Sequence, residues 1–300
     1  MDNNVLVSAI ITTCKRKPDM LKRAIDSVVN QTYRNIEIII VDDSPFDYEY
    51  RDEVKALAES YKAIGLKYIQ HSQCKGACAA RNTGIENSTG KYIAFLDDDD
   101  EWLPLKTEKQ LEKFVNEEIG LVYCGNYTIS ENSKSVQRRI YKSGYIFDDL
   151  IYENIIGSTS FPLCSRKAVL DAGMFDPDMP AAQDFDLWLR IARKYKVDYV
   201  ETPLVNYYFH NCGQITNNRE RKALAYERIL NKNLDYLKKH RKAYAVRVLR
   251  ISEFCVQSDF KKAYRLFWKG LFIYPFGFSE LKEATKTLLY CKFKNIIVRK

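Results

Sequence analysis

The sequence predicts an α/β protein built on a mainly parallel sheet flanked by helices, followed by a helical C-terminal extension. Three observations carry this. Apolar, β-branched runs of strand length alternate with helical-period segments through the first half of the chain. Two of those runs end in acidic clusters, the place where open parallel sheets bind ligands. The charge also changes sign along the chain: Arg219 to Lys300 holds 21 basic and 7 acidic residues, net +14, whereas the preceding 218 residues hold 26 and 32, net −6. Two parts with different partners are expected, an α/β domain over 1–218 and a basic, aromatic helical region over 219–300.

Val5 to Ile11 reads as a buried first strand, followed by Thr12, Thr13, Cys14 and a basic loop, Lys15 to Lys17. Pro18-Asp19 opens a helix, because Pro is tolerated in a first turn and Met20, Leu21, Ala24, Ile25, Val28 and Val29 repeat at helical spacing. Ile36 to Val41 is a second buried strand, ending at Asp42-Asp43-Ser44. Val54 to Tyr61 reads as helix, Leu66 to Gln70 as strand and Ala77 to Glu86 as a short helix. Tyr92 to Leu96 is a further buried strand, ending in Asp97-Asp98-Asp99-Asp100. Leu105 to Asn116 reads as helix and Leu121 to Cys124 as strand, completing a β-α-β-α-β-α-β order. Beyond Glu131 the pattern is less regular: helices at Ser165 to Leu170 and Phe185 to Tyr195, strands at Val197 to Val200 and Leu204 to Phe209.

Composition bounds the rest. The 300 residues are 46% hydrophobic and 29% charged, and 12 Gly with 8 Pro exclude collagen-like and Pro/Gly-rich classes. Apolar runs such as Ile38 to Val41 fall far short of the roughly 20 residues of a spanning helix. Met1 to Asn4 shows no basic-then-apolar leader, so a cytoplasmic location is expected. The eight cysteines lie at 14, 74, 78, 124, 164, 212, 255 and 291. They read as free thiols, and the spacing of Cys74 and Cys78 is not that of a C-x-x-C pair. The basic tail has three readings: a solvated helix face, docking on an anionic membrane surface, or nucleic-acid binding. Aromatics interleaved with the charge (Tyr264, Phe267, Trp268, Phe272, Tyr274, Phe276, Phe278) favour the membrane, although they equally suit a small helical core. Nothing but charge supports nucleic acid, and none is expected as a partner.

Asp97 to Asp100 is the most informative feature. A solvated loop often carries such a run, but this one follows a buried strand directly and leads through Glu101-Trp102-Leu103-Pro104 into a helix. One or two carboxylates suit Mg2+ or Mn2+ bound together with a diphosphate.

Seven segments in order resemble glycosyltransferase family 2, whose nucleotide-sugar-binding fold is called GT-A. They are Val7 to Cys14, Ser27 to Tyr33, Glu37 to Asp43, Ala80 to Ile85, Phe95 to Trp102, Gly173 to Asp176, and Asp184 to Arg190. The resemblance covers about residues 5–217. It implies an inverting, metal-dependent sugar transfer and maps the D-x-D motif onto Asp97-Asp98-Asp99. Asp99 would hold Mn2+ or Mg2+, Asp97 or Asp98 would face the ribose, and Asp100 would orient a metal-bound water. Asp43 would accept a hydrogen bond from uracil N3–H, the alternative being a turn or cap. Thr12 and Cys14 would line the base pocket, partly through backbone; the family usually has Tyr or Phe where Cys14 stands. Arg81 would reach the diphosphate or base, or else pack on its own helix. Asp184 would be the base that takes the acceptor hydroxyl's proton, the alternative being a helix N-cap. His210 would lie near the metal, or else be a packed or surface residue. His71 and His240 read as surface residues, and Trp102 and Trp188 as packing, with Trp102 alternatively walling the acceptor.

The expected activity is transfer from a nucleotide donor, a UDP-sugar, to a hydroxyl of a glycan or lipid-linked oligosaccharide in capsule, O-antigen or related polysaccharide synthesis, peripheral to the inner membrane face. The rivals are a non-catalytic sugar- or membrane-binding module and a nucleotidyltransferase. The second would want a Gly-rich loop after the first strand, and Thr12 to Pro18 contains no glycine. A nicotinamide dehydrogenase would want G-x-G-x-x-G, which is absent.

Overall fold

A computed structural model of the chain describes residues 4–131, 133–137, 140–209 and 218–275. It divides into two compact units, Met1–Pro177 with Asp184–His210 and Asp178–Gln183 with Asn211–Lys300.

In chain order the first unit begins β1 (Val7–Thr13), α1 (Pro18–Val29), β2 (Ile36–Asp42), α2 (Arg51–Ser60), β3 (Lys67–Gln70), α3 (Ala77–Glu86) and β4 (Tyr92–Asp97). β2 and β4 pair parallel to β1 on its two sides, and β3 pairs parallel to β2. The β-branched runs that predict these strands are the core: Val7, Ala9, Ile11, Ile38, Ile40, Ala94 and Leu96 pack together with Leu21, Ala24, Ile25 and Val28 of α1. Pro18 stands in the first turn of α1, where its missing N–H costs nothing.

The second half departs from the expected order. After β5 (Glu101–Trp102) and a short α4 (Lys106–Leu111), β6 (Ile119–Ser130) does not lie beside β4. A hairpin strand, β7 (Ser133–Val136), pairs with β6, and α5 (Phe147–Leu150) follows. The three-residue β8 (Leu163–Ser165) inserts antiparallel between β4 and β6. α6 (Arg166–Asp171) and α7 (Gln183–Ala192) lead into β9 (Lys196–Tyr208). The sheet runs β3-β2-β1-β4-β8-β6-β9-β5. The two strands expected at Val197 and Leu204 are one, parallel to β6, with a bulge that carries Pro203 past the ladder opposite Gly125. A Cβ on Gly125 would meet the Glu201 carbonyl at 2.5 Å, so this close approach requires glycine. Lys106 is fully buried, its Nζ 2.8 Å from Gln110 Oε1 and 4.1 Å from the centroid of the Trp102 ring. Burial lowers its ammonium pKa to about 8.

The second unit carries α8 (Arg219–Lys232), α9 (Leu234–Lys239), α10 (Arg241–Cys255) and α11 (Phe260–Ile273). Asn218 and Asp259 cap α8 and α11, each accepting from a backbone N–H three residues on at 2.9 Å. α10 is buried through Ala243, Ala245, Val246, Val248, Leu249 and Ile251, and Ser252 Oγ donates to the Ala263 carbonyl of α11 at 2.7 Å. No helix among the described residues is long and apolar enough to cross a membrane.

Candidate active site

The carboxyl ends of β1, β2 and β4 lie side by side, because Thr12 is in register with both Val41 and Asp97. Thr12, Cys14, Asp43, Asp97, Asp98 and Asp99 sit on these ends or on the loops that leave them, Arg81 sits on α3, which follows β3, and Asp184 sits on α7. His210 lies outside the described residues.

The four adjacent carboxylates do not converge. The backbone turn after β4 lets Asp98 and Asp99 meet at Arg16 while Asp97 and Asp100 face other partners, and among the described residues no three of them form a common ligand cluster. Asp97 accepts from Arg81 Nη2 at 2.7 Å and from Thr159 Oγ1 at 2.8 Å. Asp98 is buried; it accepts from Thr13 Oγ1 at 2.7 Å and from Arg16 Nε at 3.1 Å. Burial raises its pKa to about 7, against the opposing pull of Arg16. Asp99 accepts from Arg16 Nη2 at 2.7 Å, and its backbone carbonyl from Arg23. Asp100 is fully buried, its Oδ1 3.2 Å from the Tyr208 N–H and its Oδ2 with no hydrogen-bond partner. Burial, then Asp97 and Asp99, push its pKa well above the ordinary range.

Asp98 and Asp99 thus share one cation, the Arg16 guanidinium. Two hard carboxylate oxygens already bridged by a positive group, with the Asp99 side chain 13% exposed, fit a divalent cation that has further positions for phosphate and water. Sequence reasoning missed Arg16, Arg23 and Thr13. The basic loop after β1 was the signal for Arg16; Arg23 lies on α1 and Thr13 ends β1. Strand alternation sends Thr13 to the opposite face from Thr12 and Cys14.

Asp184 lies in the first turn of α7, its Oδ1 accepting from the Phe185 N–H at 2.7 Å. Desolvation raises its pKa to about 6; Phe185 N–H and Arg81 oppose the shift and Asp97 adds to it. Arg81, Asp97 and Asp184 therefore form one electrostatic group. Arg81 is buried and pairs with Asp97, rather than lying on its own helix surface. Asp186 is buried in a pair with Arg190 at 2.8 Å, which makes it a structural carboxylate. Trp102 and Trp188 are both buried, donating to the carbonyls of Ser160 and Gly157.

Asp43 organises the β2 edge. Its carboxylate accepts from the Lys75 N–H (2.8 Å), the Gly76 N–H (2.7 Å) and Cys74 Sγ (3.3 Å), and lies 2.7 Å from His71 Nδ1. Gly76 adopts φ +91 at the N-terminus of α3, the positive value that brings its N–H to the carboxylate. His71 is buried between Asp43 and Thr83, not on the surface as expected; a sequence offers no way to see that the β3–α3 loop folds back onto β2. Cys14 and Cys74 are exposed, and Cys14 Sγ lies 3.3 Å from the Asp43 carbonyl oxygen. A carboxylate has about four acceptor positions. Three are held by the loop, so a base N–H would take the one that the Cys74 thiol uses.

A curled sheet of parallel and antiparallel strands flanked by helices, with aspartates closing β2 and β4 and a desolvated carboxyl on a later helix, has the GT-A fold. Residues 8–171 match Glycosyl transferase family 2, and the chain belongs to that family. It is 32% identical over 211 residues to an uncharacterized glycosyltransferase, MJ1057, of Methanocaldococcus jannaschii, covering 69% of this chain and 71% of that one. It is 31% identical over 228 residues to UDP-Glc:alpha-D-GlcNAc-diphosphoundecaprenol beta-1,3-glucosyltransferase WfaP of Escherichia coli (75% and 85%). Among solved structures, S. aureus TarS 1-349 in complex with UDP-GlcNAc superposes with a TM-score of 0.65 at 15% identity (89% and 81%). Mannosyltransferase PcManGT of Pyrobaculum calidifontis, in complex with GDP-Man and Mn2+, gives 0.63 at 16% (99% and 88%).

Proposed function

We propose that this glycosyltransferase is inverting and metal-dependent, and moves a sugar from a UDP-linked donor to a hydroxyl of a glycan or lipid-linked oligosaccharide. The observation that carries the reading is the Arg81–Asp97–Asp184 group beside the Asp98–Asp99 pair: a carboxyl with a pKa of about 6 next to an acidic edge suited to a cation. The acceptor oxygen attacks the anomeric carbon as the bond to the diphosphate breaks, and Asp184 accepts the hydroxyl proton. Arg81 holds negative charge on the donor side, and Asp97 or Asp98 faces the ribose. Thr12, Cys14 and Asp43 hold the base. Mn2+ or Mg2+, held by Asp99 with His210 as a further ligand, would supply positive charge against the leaving diphosphate. The names of WfaP, for UDP-glucose, and of the TarS complex support UDP; the PcManGT complex supports the metal.

The test is a thermal-shift panel of UDP, GDP, CMP and TDP, each with and without Mn2+. Ligand at 100 times its dissociation constant stabilises by about 2.7 kcal/mol. A shift with UDP that requires Mn2+ is expected; a shift with GDP alone would reverse the base assignment.

The polysaccharide role and a place at the inner membrane face belong to the same proposal. α11 exposes Tyr264, Trp268 and Phe272, one helical turn apart, and Lys238, Arg241 and Lys269 border a shallow depression with Phe272 and Tyr244. Aromatics beside cations favour anionic headgroups. Trp268→Ser with Phe272→Ser is expected to reduce co-sedimentation with phosphatidylglycerol vesicles several-fold; unchanged binding would reject this face.

A further inference from the structure

We propose that Cys14, Cys74 and Asp43 form a second metal site, for a thiophilic cation such as Zn2+, at the end of β1 and β2 and separate from the acidic edge. The inhibitory consequence argued below rests on the donor-base reading of this edge; the metal site itself does not.

The two thiol sulfurs and one carboxylate oxygen lie within 4.8 Å of one another. Around a tetrahedral ion with Zn–S near 2.3 Å and Zn–O near 2.1 Å, ligand atoms stand roughly 3.5–3.8 Å apart, so closure takes movements of about 1 Å or less. The three ligands come from segments 29 and 31 residues apart that are already held in place. Lys15, at φ +52, turns the chain just after Cys14 and donates its N–H to Ser44 Oγ at 2.9 Å. The Cys74 loop is tied to β2 by the Lys75 and Gly76 N–H bonds to Asp43 and by the His71 N–H bond to the Asp42 carbonyl at 2.9 Å. His71 and these two N–H groups also orient the carboxylate, the outer-shell support that metal-binding carboxylates ordinarily have.

The chemistry of the donor set selects the ion. Two sulfurs and one oxygen suit Zn2+ and its softer relatives, and disfavour the hard Mg2+ that Asp99 suits. Binding replaces the Cys74 S–H contact to the Asp43 carboxylate and the Cys14 S–H contact to the Asp43 carbonyl by three metal–ligand bonds, and releases the two thiol protons to solvent. Access is open: Cys14 and Cys74 are exposed, whereas Cys78, Cys124, Cys164 and Cys255 are buried. Three protein ligands leave a fourth position for water or an anion. An ion here takes the one acceptor position of Asp43 that the loop leaves for a base N–H, so metal and nucleotide exclude each other.

Co2+ titration of the fully reduced full-length chain tests the site. One equivalent is expected to give a thiolate-to-cobalt charge-transfer band that excess Zn2+ removes, that Cys14→Ser and Cys74→Ser each abolish, and that Asp99→Ala leaves intact. No band in the wild type, or a band that survives both serine variants, overturns the proposal. Circular dichroism of the two variants checks folding, and Asp43→Asn, which keeps both thiols, is expected to weaken Co2+ at least tenfold. Zn2+ at ten times its dissociation constant is then expected to weaken UDP about elevenfold. If UDP binds with undiminished affinity in the presence of Zn2+, the exclusion fails. If UDP never binds while the cobalt band behaves as stated, the donor reading fails and the metal site stands.

Discussion

Asp184→Asn is expected to lower kcat by about 10²–10⁴-fold, the range general-base removal produces, with little change in donor KM. The wild type is expected to gain kcat/KM about tenfold per pH unit up to roughly pH 6 and then level off. The sign follows from the role: the base must be ionised, and burial raises the Asp184 pKa from 3.8 to about 6. The same shift gives a second readout. A carboxyl with a raised folded-state pKa lends stability below its unfolded pKa, and that stability is lost as pH rises through the folded value. The penalty for ionising Asp184 therefore grows between about pH 4 and 6 and is complete above it. Asn carries no such penalty, so the variant is expected to melt higher than the wild type at pH 7.5, by about 1–3 kcal/mol, and to match it near pH 4. A carboxylate that merely capped α7 through its 2.7 Å bond to the Phe185 N–H would leave Tm nearly unchanged at both pH values, because Asn caps about as well as Asp. Steady-state kinetics against pH together with melting curves at the two pH values decide between them.

The second large effect concerns Arg16. Arg16→Ala leaves Asp98, buried, and Asp99 without their shared guanidinium. Removing one partner of a buried pair costs about 3–5 kcal/mol, and partial exposure of Arg16 puts the expectation at the lower end. Mn2+ is expected to restore part of that loss, giving a larger Mn2+-dependent rise in Tm in Arg16→Ala than in the wild type. Asp99→Ala is expected to lose the Mn2+ response and to lower kcat/KM by about 10²–10³-fold, as loss of a charge-stabilising group does. Equal Mn2+ shifts in wild type and Arg16→Ala would show that the guanidinium and the ion do not compete for these oxygens. Calorimetry of the apo chains and a Mn2+ titration of each measure both quantities.

The functional edge is partly legible in the sequence. Asp97, Asp98 and Asp99 end a run of buried, β-branched and aromatic residues, and that adjacency alone placed them at a strand's carboxyl end. Asp184 stood out by family pattern, but its pairing with Arg81 and Asp97 did not: those residues are 103 and 87 positions away in sequence, and the charge that shapes the Asp184 carboxyl arrives through folding. Arg16 read only as one of three basic loop residues, because nothing local distinguishes a solvated arginine from one bridging two aspartates 82 and 83 residues away. His71 read as a surface residue for the same reason.

The sequence by itself determined which segments become strands and which become helices over the first hundred residues, since hydrophobic period, proline position and turn residues are local properties. It also determined the acidic edge and the basic character of the C-terminal region. Only the tertiary structure decided strand order. β8, three residues long, carries too little pattern to announce that it slips antiparallel between β4 and β6. β9 reads as two strands because Pro203 interrupts the ladder, and it becomes one because a bulge opposite Gly125 lets the proline pass. Tertiary structure alone also decided that Lys106 is buried against Trp102 and that Cys14 meets Cys74 across Asp43. Pairing partners and burial are settled by which faces meet at long range, and local periodicity carries no record of the partner.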